Sequence, residues 1–284
     1  MPLCASGTLH AGHRDFAPMA TVQVLWNEIQ GDWITAAIVG ATVACSYAAF
    51  ALIGFGGGPL ATPFLVLRLP VRMVVPLLAV LDLVGATINL ANLLARGGRA
   101  ELKARVDFQV LKILTPTMIV GTYVGTVILN TLPSRYVLLA FGIFVFTTTL
   151  RSLRAKTKPR PSWLLAIVAG LGGGVLSGAF GIGGPVYALY ISSRLDAEKV
   201  SYSLGTLIGI AAATRALIFF YDGIYANAQL VALICVALPS QLFGMLCTHQ
   251  VTQDVPRQTV IRLLRYLLLL VSISILVRAA YQFS

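Results

Sequence analysis

Two charged side chains, Asp82 and Arg215, lie in the middle of apolar stretches of this sequence. Ionisable groups are expensive inside a membrane, so they are functional candidates wherever they occur there. A guanidinium offers paired N–H groups that match the oxygens of an oxyanion. We therefore expect Arg215 to bind an anion. Asp82 is either a structural partner of such a group, with Arg215 as one candidate, or a carrier of the coupling proton if it faces water.

Two glycine-rich segments interrupt apolar runs, one reading Gly-Phe-Gly-Gly-Gly-Pro at 54–59 and the other Gly-Ile-Gly-Gly-Pro at 181–185. Glycine costs about 1 kcal/mol and proline about 3 kcal/mol inside a helix, so neither segment is a regular helix. Non-helical backbone at membrane depth is tolerated inside protein or along a watery cavity, where half-helix N-termini can hold anions. Close helix packing is the alternative interpretation of such glycines. The predicted substrate-binding residues are Gly54, Gly56, Gly57, Gly58, Pro59, Asn89, Gly181, Gly183, Gly184, Pro185 and Arg215.

The glycine segments are also the best-matched parts of an internal repeat. A shift of 126 residues superimposes them and also places Asn89 at the position of Arg215, so both halves carry a polar residue at one depth. Duplication is a common way to build transporters. The other matches are Arg68-Leu69 with Arg194-Leu195, Val74 with Val200, and, at a slightly different shift, Pro116 and Gly121 with Pro239 and Gly244.

The composition is that of a membrane protein. Of 284 residues, 57% are hydrophobic and 11% charged, with a mean hydropathy of +0.85. Soluble domains carry about 25% charged residues, so this chain cannot cover a water-facing surface. At roughly 20 residues a span, the length leaves room for about eight spans. The net charge of +11 lies mostly between apolar stretches, as the positive-inside rule expects, so we predict no nucleic-acid partner.

These features predict an all-α, polytopic integral membrane protein of about eight transmembrane helices in two homologous four-span halves, each with a glycine-broken first helix. The expected divisions are a cytoplasmic N-terminal tail at 1–32, a first repeat at 33–150, a basic linker at 151–162 and a second repeat at 163–284. Even span counts make the repeats parallel and odd counts make them inverted. The choice depends on how the glycine segments are threaded, and the sequence leaves it open.

Cysteine and histidine offer no metal or catalytic site. The sequence contains no CxxC pair, and no nucleophile–base pair suited to an intramembrane enzyme. We expect no catalytic residue, no metal and no cofactor. The residues concerned are Cys4, Cys45, Cys235, Cys247, His10, His13 and His249.

The glycine segments, together with Pro63 and the Pro116/Gly121/Gly125 and Pro239/Gly244 spans, resemble the TauE/SafE sulfite exporter family over roughly residues 34–280. The resemblance implies a bacterial inner-membrane permease for a small anion such as sulfite, a sulfonate or another sulfur-containing or organic anion. The second segment departs from the first because no proline corresponds to Pro63. An anion channel is the alternative function, and the sequence leaves proton coupling and a homo-oligomer open.

Overall fold

The computed structural model describes residues 32–53, 57–154, 162–195, 197–251 and 273–277, and every regular element in these ranges is helical. Five helices are long and apolar enough to cross a membrane, as a polytopic membrane protein requires. These five helices of the described residues do not confirm the predicted total of eight spans. The helices are α1 (Trp33–Ile53), α2 (Gly58–Leu65), α3 (Val71–Arg105), α4 (Phe108–Thr131), α5 (Ser134–Arg154), α6 (Trp163–Phe180), α7 (Gly184–Arg194), α8 (Ala197–Tyr221) and α9 (Ala228–Val251), with a 3₁₀ turn at Ile224–Ala226 and helical residues at 273–277.

The second glycine segment reverses the chain. Helix α6 ends at Gly181, whose φ of 75° is left-handed backbone that favours glycine, and the N–H of Gly181 donates to the Ser177 carbonyl at 2.9 Å. Helix α7 then returns beside α6, because a Cβ on Gly183 would lie 2.7 Å from the carbonyl oxygen of Gly173. The α6–α7 pair is therefore a hairpin whose tip is this glycine segment.

The first glycine segment joins a similar pair. Helix α2 lies back along α1, since Leu65 and Val66 share one buried cluster with Val39 and Val43. Residues 54–56 lie outside the described residues. The two hairpins meet inside the protein, where a Cβ on Gly58 would lie 2.6 Å from the carbonyl oxygen of Gly181.

Glycines also bring neighbouring helices into direct backbone contact. Gly121 and Gly125 of α4 face the carbonyls of Leu171 and Val175 on α6, so the two helices run parallel. These two glycines therefore serve close helix packing. Helix α1 packs in the same manner on α9, where a Cβ on Gly244 would meet the backbone of Ala44.

Helices α3 and α8 begin at Val71 and Ala197, 126 residues apart, and they run in opposite directions. Near the end of α3, the Arg105 guanidinium donates to the hydroxyl of Tyr202 near the start of α8, at 3.1 Å. Later residues of α8 therefore lie beside earlier residues of α3. This antiparallel pair forms the centre of the molecule and contributes one charged residue from each helix.

The basic segment at 96–105 is largely helical. Helix α3 breaks at Gly97 and Gly98, where Gly98 has a φ of 62°, and then continues to Arg105. Glu101 and Arg105 form an ion pair one helical turn apart in this second part. The break separates the apolar, spanning part of α3 from its basic end.

Candidate functional site

Asp82 of α3 and Arg215 of α8 form a buried ion pair. Arg215 Nη2 donates to Asp82 Oδ2 at 3.1 Å. The side chain of Arg215 is 1% exposed and that of Asp82 is 3% exposed. Arg215 Nη1 donates to the backbone carbonyl of Ser177 in α6, also at 3.1 Å. Arg215 thus links α3, α8 and the second hairpin, and one of its N–H groups, at Nε, has no hydrogen-bond partner within the described ranges.

Tyr47 of α1 completes the surroundings of the Asp82 carboxylate. Its hydroxyl donates to Asp82 Oδ1 at 2.7 Å, and the backbone N–H of Gly58 also interacts with the carboxylate. The tyrosine ring lies directly against Gly57, where a Cβ would clash with it. Tyr47 could not be identified from the sequence, because a tyrosine in an apolar run is usually a packing residue.

A small cavity of about 10 Å³, the Arg215 cavity, lies at the tip of the second hairpin, and it has room for about one water molecule. Tyr187, which is fully buried, also faces this cavity, and its hydroxyl lies beside the Ser177 and Thr122 side chains without a well-formed hydrogen bond to any described residue. Arg215 Nε and the Tyr187 hydroxyl, two polar groups without a well-formed hydrogen bond, therefore belong to residues that line the same cavity. The other lining residues include Pro59, Asp82, Ser177, Gly181, Gly183 and Gly184.

A second small cavity, the Asn89 cavity, lies on the other side of Asp82 and Ile208. It is also about 10 Å³ and is lined by Tyr47, Asp82, Gly85, Ala86, Asn89, Gly205 and Ile208. Asp82 and Ile208 line both small cavities. Both small cavities therefore border the ion pair, and each is lined by residues of both halves of the chain.

A much larger cavity of about 430 Å³, the entrance cavity, separates parts of α3 and α8. It shares Ala86, Asn89 and Gly205 with the Asn89 cavity, so the three cavities form one series that leads to Arg215. Because it is lined by residues 83–90 of α3 and 201–213 of α8, it lies in the half of the molecule that carries the basic segment 96–105.

The opposite half of the same helix pair is tightly packed. Val74 and Leu78 of α3 and Phe219 of α8 are fully buried in one cluster. The Tyr225 hydroxyl donates to the Pro76 carbonyl at 3.1 Å across this end. Asp82 and Arg215 are thus approached by cavities from one side and covered by side chains on the other.

The structure brings most of the sequence-predicted site residues together, but not all of them. Asp82, Arg215, Pro59, Gly181, Gly183 and Gly184 line the Arg215 cavity. Asn89 lies instead in the Asn89 and entrance cavities, and Pro185 is exposed beside the tip. Gly57 and Gly58 support the site through Tyr47 and Gly181, whereas Gly54 and Gly56 lie outside the described residues.

Tyr187 is the second site residue that the sequence did not reveal. Its ring fits between Gly173 and Gly183, and a Cβ on either glycine would meet the ring. Gly173 of α6 therefore accommodates this ring. The sequence shows a glycine on each arm of the hairpin, but only the fold shows that both glycines face the ring of Tyr187.

Comparison with known proteins gives one result. A family model described as sulfite exporter TauE/SafE matches residues 37–275, which is most of the chain. No curated protein and no solved structure matches the chain. The match covers both hairpins, the α3–α8 pair and all three cavities.

Proposed function

The chain belongs to the sulfite exporter TauE/SafE family, and from that premise we propose that it is a secondary carrier for a small anion in a bacterial inner membrane. The substrate is sulfite, a sulfonate or another small sulfur-containing or organic anion. The observation that carries this proposal is the unused Nε of Arg215, buried in a residue that lines a cavity at the N-terminus of α7.

The physical basis for anion binding is the positive electrostatic potential of a buried site that excludes bulk water. The N-terminus of α7 carries N–H groups without helical partners and the positive end of the helix dipole. Arg215 adds a full positive charge, which an ionised Asp82 balances through Oδ2 and a protonated Asp82 leaves available to the anion. An anion in the Arg215 cavity meets both, and low local polarity makes each contact stronger than in water.

Asp82 is our candidate for proton coupling. An anion that enters beside an ionised Asp82 places two negative charges next to one guanidinium, and this excess charge is costly in a buried site. If Asp82 takes up a proton, the anion replaces it as the partner of Arg215 and the site stays neutral. Charge balance therefore favours transport of a monovalent anion together with one proton.

A carrier accounts for the cavities better than a channel does. The entrance cavity reaches the ion pair from one side, whereas Val74, Leu78 and Phe219 are packed on the other. A channel needs one continuous passage when open. A carrier needs access from one side at a time, and this arrangement corresponds to access from the side of the basic segment.

We further propose that the two halves are inverted repeats. Helices α2 and α7 begin 126 residues apart, as α3 and α8 do, and α3 and α8 run in opposite directions. With the segments 96–105 and 151–160 in the cytoplasm, the α6–α7 hairpin enters from the cytoplasm and the α1–α2 hairpin from outside. This threading puts the start of α1 outside, in place of the cytoplasmic tail expected at 1–32.

Two measurements on purified protein test the function. Sulfite and small sulfonates should raise the apparent melting temperature, since a ligand that binds the folded state stabilises it. Reconstituted protein should show counterflow of labelled sulfite. Arg215→Gln should remove both responses, whereas Arg72→Gln should keep them, because Arg72 contacts backbone carbonyls of α4 away from the cavities. An uncoupled anion current without counterflow would show a channel instead.

A further inference from the structure

The first hairpin already holds an anion, and that anion is the protein's own Asp82 carboxylate. Tyr47 donates to Oδ1 and Arg215 Nη2 donates to Oδ2. The third group is the backbone N–H of Gly58, the first residue of α2. A tyrosine hydroxyl, a helix N-terminal amide and a guanidinium thus surround one carboxylate at the tip of this hairpin.

The second hairpin presents the same three kinds of donor. Gly184 begins α7 as Gly58 begins α2, and the two positions differ by 126 residues. As the first residue of its helix, Gly184 has no helical carbonyl for its N–H. Arg215 serves both hairpins, with Nη2 directed to Asp82 and Nε left unused.

The tyrosines correspond in space rather than in sequence. Tyr47 plus 126 is Gly173, and Tyr187 minus 126 is Ala61, so each half has one tyrosine and one small residue at exchanged positions. Both rings nevertheless lie against glycines at equivalent positions, with Tyr47 on Gly57 and Tyr187 on Gly183. Each ring places a hydroxyl near the tip of its own hairpin.

The difference between the hairpins is the acceptor. The position equivalent to Asp82 is 208, and it is occupied by Ile208, which lines both small cavities. No carboxylate is supplied there. Arg215 Nε has no partner in the described residues, and the Tyr187 hydroxyl has only the Ser177 and Thr122 side chains beside it, without a well-formed hydrogen bond. Buried donors without a well-formed hydrogen bond are rare in folded proteins, so two of them in residues that line one cavity indicate a ligand.

We propose that the acidic group of the transported anion takes, at the second hairpin, the place that Asp82 takes at the first. Its donors are the Tyr187 hydroxyl, the Gly184 amide and Arg215 Nε. This inference rests on the proposed function and assigns Tyr187 as a specificity-determining residue. The Arg215 cavity is only about 10 Å³ here, so the tip must move away from Gly58 as the anion enters.

The chemistry of the site defines the ligand class. Asp82 receives donors on two different oxygens of one planar group, so the equivalent site fits an anion with at least two oxygens on one central atom. Carboxylates, sulfite and sulfonates meet this condition. A halide is a single spherical atom, so it matches a site built around two separated oxygens less well than these anions do.

The decisive experiment supplies the missing carboxylate from the protein itself. Ile208→Asp should occupy the three donors and remove the sulfite-induced rise in melting temperature, together with counterflow. Ile208→Asn has the same shape without the charge and should keep a weakened response. Equal loss in both variants would overturn the proposal, because the effect would then be steric.

A second variant covers the case in which Ile208→Asp does not fold. Tyr187→Phe removes one hydroxyl and should weaken sulfite affinity about tenfold, which corresponds to about 1.4 kcal/mol. Tyr190→Phe is the matched control, because Tyr190 is a buried tyrosine of the same helix whose ring contacts Arg194, and its affinity should equal that of the wild type. Unchanged affinity in Tyr187→Phe would refute the inference, whereas wild-type protein that responds to no anion would refute the proposed function itself.

Discussion

Arg215 of α8 and Asp82 of α3 meet at 3.1 Å between two helices that begin 126 residues apart in the chain. The pair is therefore a contact between the two halves, made at the point where their glycine tips also touch. A buried ion pair contributes little net stability compared with apolar residues, but removing one partner leaves a charge uncompensated. Its stability effect can be measured directly.

Asp82→Asn should destabilise the folded protein by about 3 to 5 kcal/mol, because Arg215 then remains buried without a carboxylate. The double variant Asp82→Asn/Arg215→Gln should recover a large part of this loss. Unfolding of the wild type, both single variants and the double variant in one detergent gives the coupling energy. Strictly additive effects would show that the pair is not coupled in the folded state.

Asp82→Asn also tests proton coupling. The asparagine cannot take up and release the proton, so the variant should still exchange sulfite for sulfite at equal concentrations. It should no longer accumulate sulfite in response to an imposed pH gradient. Proteoliposomes with and without the gradient distinguish the two activities. Gradient-driven accumulation that matches the wild type would exclude Asp82 as the proton carrier.

Tyr47→Phe keeps the ring on Gly57 and removes only the hydroxyl that donates to Asp82 at 2.7 Å. A buried carboxylate that loses one donor costs roughly 1 to 3 kcal/mol, and thermal unfolding should show this decrease. Tyr225→Phe is a control outside the site. Burial raises the pKa of Tyr225 to about 12, so its phenol stays protonated and donates to the Pro76 carbonyl at neutral pH. Its loss should lower stability without changing anion affinity.

Gly125→Ala should weaken the contact between α4 and α6. A Cβ at Gly125 would meet the carbonyl of Val175, and because that neighbour is backbone, the helices must separate. Overpacking of this kind typically costs 1 to 3 kcal/mol. Gly172→Ala in α6 is the matched control, because nothing lies within 4 Å of a Cβ there. The control should be neutral or slightly stabilising, and equal destabilisation by both changes would contradict the packing assignment.

The sequence predicted the parts of the site that depend on local chemistry. Glycine and proline at 54–59 and 181–185 cannot continue a helix, and Asp82 and Arg215 are conspicuous in apolar surroundings, so these positions could be identified without a fold. The path of the chain at these segments could not be predicted, because a broken helix that crosses the membrane and a hairpin that returns to the same side have the same composition.

The two tyrosines show why the rest of the site could not be predicted. Tyr47 and Tyr187 are not at repeat positions, so the repeat conceals their common role. Their assignment requires the contacts of Tyr47 with Gly57, across the turn of the first hairpin, and of Tyr187 with Gly173, across the second hairpin. Asn89 illustrates the converse. It occupies the repeat position of Arg215, yet it lies in a different cavity.

The last prediction concerns access to the entrance cavity. Thr87 lines this cavity and is exposed, whereas Val74 on the same helix is fully buried in the packed half. In a protein whose own cysteines are replaced by serine, Thr87→Cys should react with a membrane-impermeant thiol reagent applied from the cytoplasmic side, and Val74→Cys should not. Saturating sulfite should slow the reaction at Thr87→Cys, because binding at Arg215 shifts the carrier away from the conformation in which this cavity is open. Reaction of Thr87→Cys only from the outer side would reverse the proposed orientation, since the entrance cavity lies in the half that carries the basic segment.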